Sequence, residues 1–71
     1  MDSIKELVAS VLGIRPKRVT DDLAFESIPE WDSLNHVKLM LAIEQTYGKE
    51  VDEEQMVEMT TVAAIRAFVA V

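Results

Sequence analysis

Trp31-Asp32-Ser33-Leu34-Asn35-His36-Val37-Lys38-Leu39-Met40-Leu41-Ala42-Ile43-Glu44-Gln45-Thr46-Tyr47-Gly48, or WDSLNHVKLMLAIEQTYG, is the run that decides the fold. A helix should start at Asp32 or Ser33, because a short oxygen-bearing side chain caps an N–H that the first turn leaves open. Gly48 is the natural stop. With 100° per residue and Leu34 at zero, Leu39, Met40, Ile43 and Tyr47 fall between about 140° and 240°, a sound core face. Leu34, Val37 and Leu41 fall between about 300° and 360°, beside Lys38, Glu44 and Gln45. A helix in a small bundle needs only one buried stripe. The second is either packed against another helix or left open as a patch for partners.

Outward from that run, Ser3-Ile4-Lys5-Glu6 reads as a capping box, with Ser3 as N-cap and Glu6 reaching back. Ile4, Leu7, Val8, Val11 and Leu12 follow as one apolar stripe, and Gly13 ends it. From Ile14 to Trp31 the periodicity vanishes, and Pro16 and Pro29 punctuate the segment. So long a connection in a small domain must be functional or internally packed, with Leu23, Phe25 and Ile28 pinning it to the core. A short helix is expected between Asp52 and Glu58, where Asp52 and Gln55 can form a second box. The last helix begins at Thr60 or Thr61 and puts Val62, Ile65, Phe68 and Val69 on one face. The fold class is therefore all-α. Residues 1–71 form a single small bundle of three main helices plus a short one, with a long loop between helices one and two.

Composition narrows the function. Nearly half the residues are apolar, charges are plentiful, and the net charge is −6. A chain this short can bury one modest core but cannot also wall off a deep catalytic pocket. No apolar run approaches the ~20 residues of a membrane span, and an N-terminus carrying Asp2 and Glu6 is unlike a signal peptide. Cysteine is absent, so any thioester chemistry needs an imported sulfur. The cytoplasm is the default location. Residues 1–20 carry a local +2 and residues 21–58 a local −9. An acidic face of that kind repels nucleic acid and anionic lipid and attracts basic protein surfaces. Asp52-Glu53-Glu54 lacks the spacing and glycine of a calcium loop. Met40 and Met56 read as core filler.

Ser33 can be read in three ways. It is a cap, a nucleophile paired with His36, or a place of attachment. A phosphate ester on its oxygen would find free N–H groups and the positive end of the helix dipole. Asp32 can do the capping and leave Ser33 exposed. The nucleophile reading has Asp32, Ser33 and His36 within five positions, but no visible oxyanion hole or substrate cleft. A lone histidine near a helix start is ordinarily a half-buried residue.

DSLNHVKLMLAIEQTYGKEV (32–51), followed by MTTVAAIRAFV (59–69), resembles the acyl carrier protein family and its peptidyl-carrier relatives. Asp-Ser-Leu opening the second helix, acids at its end, a short third helix and a Thr-Val step into the fourth carry the resemblance. It covers almost the whole chain. It implies a carrier, not an enzyme, with 4′-phosphopantetheine attached to Ser33 and an acyl or aminoacyl group held on that group's thiol. Asp32 would present Ser33, while Leu34, Val37, Leu41 and Glu44 match partner-facing positions. The implied partners are a phosphopantetheinyl transferase, an acyl- or aminoacyl-loading enzyme and downstream acyl-processing enzymes, with no nucleic acid or membrane and a monomeric carrier.

Glu30 and Trp31 stand where fatty-acid carriers usually have small residues, and helix two is less acidic than theirs. The Gly-Gly of many peptidyl carriers is also missing. The run Trp-Asp-Ser-Leu-Asn-His looks more like free-standing carriers of specialised pathways, and Met1 at the start favours a discrete protein. Glu44, Asp52, Glu53 and Glu54 should steer basic partners. His36 would touch the prosthetic arm or serve the structure alone. Met56, Met59 and Ile65 near the expected cleft point away from long acyl chains. An unmodified helical docking module is the alternative outside the carrier class.

Overall fold

Among residues 3–70, which the computed structural model describes, the chain forms α1 (Ser3–Leu12), α2 (Ser33–Tyr47), α3 (Glu53–Glu58) and α4 (Val62–Ala70), with one 3₁₀ turn at Pro16–Arg18. Ile4, Val8, Ala9 and Leu12 of α1 are buried. Gly13 takes φ 71°, and Ile14 N–H donates to the Ala9 carbonyl at 3.0 Å, the wrap-around bond of a Schellman stop. One expectation needs correction. Ser3 already lies within α1 rather than before it, so it is not the N-cap that a Ser3–Glu6 box requires. The Ser3 hydroxyl lies 3.0 Å from that of Tyr47, which joins the start of α1 to the end of α2 and makes the two antiparallel.

α2 starts and stops where its caps predict. Asp32 is the N-cap, and Gly48 closes the helix at φ 63°. α3 has the full capping box: Asp52 accepts from Gln55 N–H at 2.8 Å, and the Gln55 side chain accepts from Asp52 N–H at 3.2 Å. α4 begins at Val62, with the Thr61 hydroxyl accepting from Ala64 N–H at 3.1 Å. The buried centre is Val8, Trp31, Leu39, Met40, Ile43, Val62 and Ile65. At the other end of α4, the Lys49 ammonium donates to the Phe68 carbonyl at 3.1 Å and sits over its ring, a favourable place for a cation.

The long segment between α1 and α2 is ordered because α4 needs it. Val62 and Ala63 N–H, which have no acceptor inside their own helix, donate to the carbonyls of Leu23 and Asp21 at 3.0 Å each. Arg66 Nε donates to Asp21 Oδ1 at 2.8 Å, Phe25 N–H donates to the Thr60 carbonyl, and Ala24 pairs with Thr61 in an isolated antiparallel bridge. Leu23, Phe25 and Ile28 do pack on the core, half-buried. The deeper anchors are Val19 and Trp31, at 2% and 0% exposure, which periodicity had not singled out. No helix among the described residues is long and apolar enough to cross a membrane.

Candidate functional site

The site begins where the loop turns into α2. Asp32 sits in extended backbone (φ −94°, ψ −177°); its carboxylate accepts from Asn35 N–H at 2.9 Å and its carbonyl from His36 N–H at 2.8 Å. The Asn35 amide donates to the Glu30 carbonyl at 2.7 Å, fixing the approach of the loop. Capping is thus done by Asp32, and Ser33 stands exposed in the first turn. The N–H groups of Ser33 and Leu34 have no acceptor inside the helix, so an anionic group on the Ser33 oxygen meets the positive helix end.

His36 is not aimed at Ser33. It is 8% exposed, with the Trp31 indole N–H donating to Nδ1 at 2.9 Å and Nε2 lying 2.8 Å from the Met56 carbonyl. An indole can only donate and a carbonyl can only accept, so Nδ1 is bare and Nε2 carries the hydrogen. The Phe25 ring covers the imidazole at 5.0 Å between centroids. With both nitrogens committed, the Ser33–His36 pair that a nucleophile would need is not formed. The helix wheel held a signal that the residue type concealed, since His36 falls at about 200°, inside the core arc. A buried polar ring there must find partners, and the single indole of the chain is five residues upstream.

Leu34, Val37 and Leu41 are 65%, 43% and 52% exposed, and Val57 of α3 joins them at 74%. The second stripe of α2 is an open surface. Glu44 differs from its three companions. It is half-buried, and its Oε2 accepts from Val51 N–H at 3.1 Å, so the carboxylate also fastens the turn after α2. Met56, expected as core filler, faces two ways: it packs on the core and also lines a groove of about 380 Å³ with Phe25, Ser33, His36, Val37 and Val57. Met59 and Ile65 lie in the core instead. Asp52 is occupied by its cap, Glu53 and Glu54 are exposed, and no group of three or more His, Asp or Glu among the described residues is arranged to hold a metal.

The model of the phosphopantetheine attachment site family matches residues 2–69. The chain belongs to that family, among the phosphopantetheine carriers of acyl-carrier-protein type. It is 29% identical over 69 residues to an acyl carrier protein of Thermosynechococcus vestitus, covering 97% of this chain and 85% of the relative. It is 34% identical over 62 residues to an acyl carrier protein of Rubrobacter xylanophilus, covering 87% and 76%. The prosthetic group of such a carrier is covalently attached 4′-phosphopantetheine, which supplies a thiol to a chain that has no cysteine. The residues fit it: an exposed hydroxyl at a helix N-terminus suits a phosphodiester, and the adjoining apolar groove suits an uncharged arm.

Proposed function

We propose that Ser33 is the attachment point, and that the chain carries an acyl or aminoacyl group past a series of enzymes without transforming it. The observation that carries this reading is the division of labour at the start of α2. Asp32 makes the cap, which leaves the Ser33 hydroxyl exposed at the mouth of an apolar groove. In the loading step, the Ser33 oxygen loses its proton and forms a phosphodiester as the nucleotide part of coenzyme A departs. The helix N-terminus stabilises the new anion. Asp32 holds Ser33 in the first turn, where a transferase reaches it. The commitment of both His36 nitrogens supports a carrier without a catalytic base of its own.

Leu34, Val37 and Leu41 form the apolar centre of the partner surface, for the transferase, the loading enzyme and the acyl-processing enzymes in turn. The outward edge of Glu44 and the exposed Glu53 and Glu54 give it a negative rim. Trp31 supports a specialised-pathway carrier over a housekeeping one, because a fully buried indole fills the loop position where small residues are usual. Intact mass settles the attachment point. After incubation with coenzyme A, magnesium and a broad-specificity phosphopantetheinyl transferase, the wild type should gain one phosphopantetheine and Ser33→Ala none. A folded wild type that gains nothing sinks the assignment and favours an unmodified docking module.

A further inference from the structure

Beside Ser33, the inner wall of the groove is closed by a hydrogen-bonded chain that joins three segments. Trp31 belongs to the loop entering α2, His36 to the first turns of α2, and Met56 to α3. The indole donates to His36 Nδ1 at 2.9 Å, and Nε2–H donates to the Met56 carbonyl at 2.8 Å. Trp31 is fully buried, His36 is 8% exposed, and the Phe25 ring covers the imidazole. A chain threading from Ser33 into the bundle would have to part α2 from α3 at this bridge. Parting them breaks the Nε2–H bond to the Met56 carbonyl and leaves that ring N–H, on a residue otherwise buried, without its partner, a desolvation cost. The fully buried Leu39, Met40, Ile43, Val62 and Ile65 would then have to separate as well.

We propose that the Trp31–His36–Met56 bridge bars acyl cargo from the helix bundle. The cargo then rides in the open groove, and the carrier suits short or polar acyl groups rather than long alkyl chains. His36 is the positioning residue that sets this limit. The inference rests on attachment at Ser33. The groove, at about 380 Å³, is near the small end of ligand pockets, which run from roughly 300 to 1,000 Å³.

The test loads acetyl-, butyryl-, hexanoyl- and octanoyl-phosphopantetheine from the matching acyl-coenzyme A and follows melting temperature and side-chain methyl NMR. Cargo entering the bundle would raise the Tm of so small a domain by roughly 3–6 °C for each methylene buried. Wild type should show only a small rise that levels off once the open groove is filled, with shifts confined to the Val37 and Val57 side. His36→Ala should acquire the full rise with chain length, while His36→Gln, which keeps one acceptor and one donor, should follow wild type. A full-sized rise that continues to octanoyl in wild type, or growing shifts at Leu39, Ile43, Val62 or Ile65, overturns the proposal. So does a folded His36→Ala that follows wild type. Should His36→Ala fail to fold, the wild-type and His36→Gln series carry the test. Separately, long-range ¹H–¹⁵N spectra of the unmodified protein should show His36 with Nδ1 bare and Nε2 protonated, and the opposite tautomer overturns the bridge. No mass gain under any loading removes the cargo claim together with the attachment reading, and the His36 spectrum still judges the bridge alone.

Discussion

The two faces of α2 received similar residues and met opposite fates. Leu39, Met40 and Ile43 are fully buried, while Leu34, Val37 and Leu41 are about half or more exposed. His36, a polar ring, is 8% exposed, and Leu34, two positions earlier, is 65% exposed. Burial along this helix therefore follows angular phase and the elements standing opposite, not the hydropathy of each residue. The inner face joins a core shared with α1, α4 and the long loop. A polar ring is admitted there because Trp31 and Met56 satisfy both of its nitrogens. Nothing among the described residues covers the outer stripe, which is what a surface read by successive partners requires.

That contrast can be broken or sharpened by substitution, taking the largest expected effect first. Ile43→Ala should cost about 2–5 kcal/mol in urea unfolding, because it leaves a cavity in the core. If it costs no more than Leu41→Ala, the distinction between the faces collapses. Trp31→Phe removes the indole donor and leaves His36 Nδ1 buried without a partner. About 1–3 kcal/mol should be lost by the same measurement, and a neutral result would mean that the ring nitrogen finds another donor. Asp32→Ala should cost about 1 kcal/mol through its cap, with the helix content of α2 otherwise kept. Leu41→Ala should change stability by no more than about 0.5 kcal/mol. Its effect should instead be a weaker KM for the transferase, and unfolding that tracks Ile43→Ala would show the stripe to be packed. Transferase rates should also fall as salt rises; indifference to ionic strength would remove the steering role of Glu53 and Glu54.

The loop before α2 shows where a sequence stops being legible. Its length and its Pro residues mark it as irregular, and Leu23, Phe25 and Ile28 were readable as anchors because they are apolar. That its carbonyls cap α4 was not readable. The bonds from Val62 to Leu23 and from Ala63 to Asp21 join backbone groups about forty positions apart, and no side-chain type announces them. The bond at Glu44 was not readable for a related reason, since only the closed turn brings Val51 N–H to its carboxylate.

By itself, the sequence determined the helices, both ends of α2, the stop of α1, the start of α3 and the serine that opens α2. Those features depend on neighbours within four residues: Asp32 and Asp52 cap locally, Gly13 and Gly48 turn locally, and a stripe repeats with the helix period. Only the tertiary structure decided which stripe of α2 would be covered, and that His36 would be a bridge rather than a base. It also set Ser3 against Tyr47, 44 positions away, instead of at a cap. The physical reason is that a helix period specifies the phase of a face, whereas burial and hydrogen-bond partners depend on segments that meet only once the chain has closed on itself.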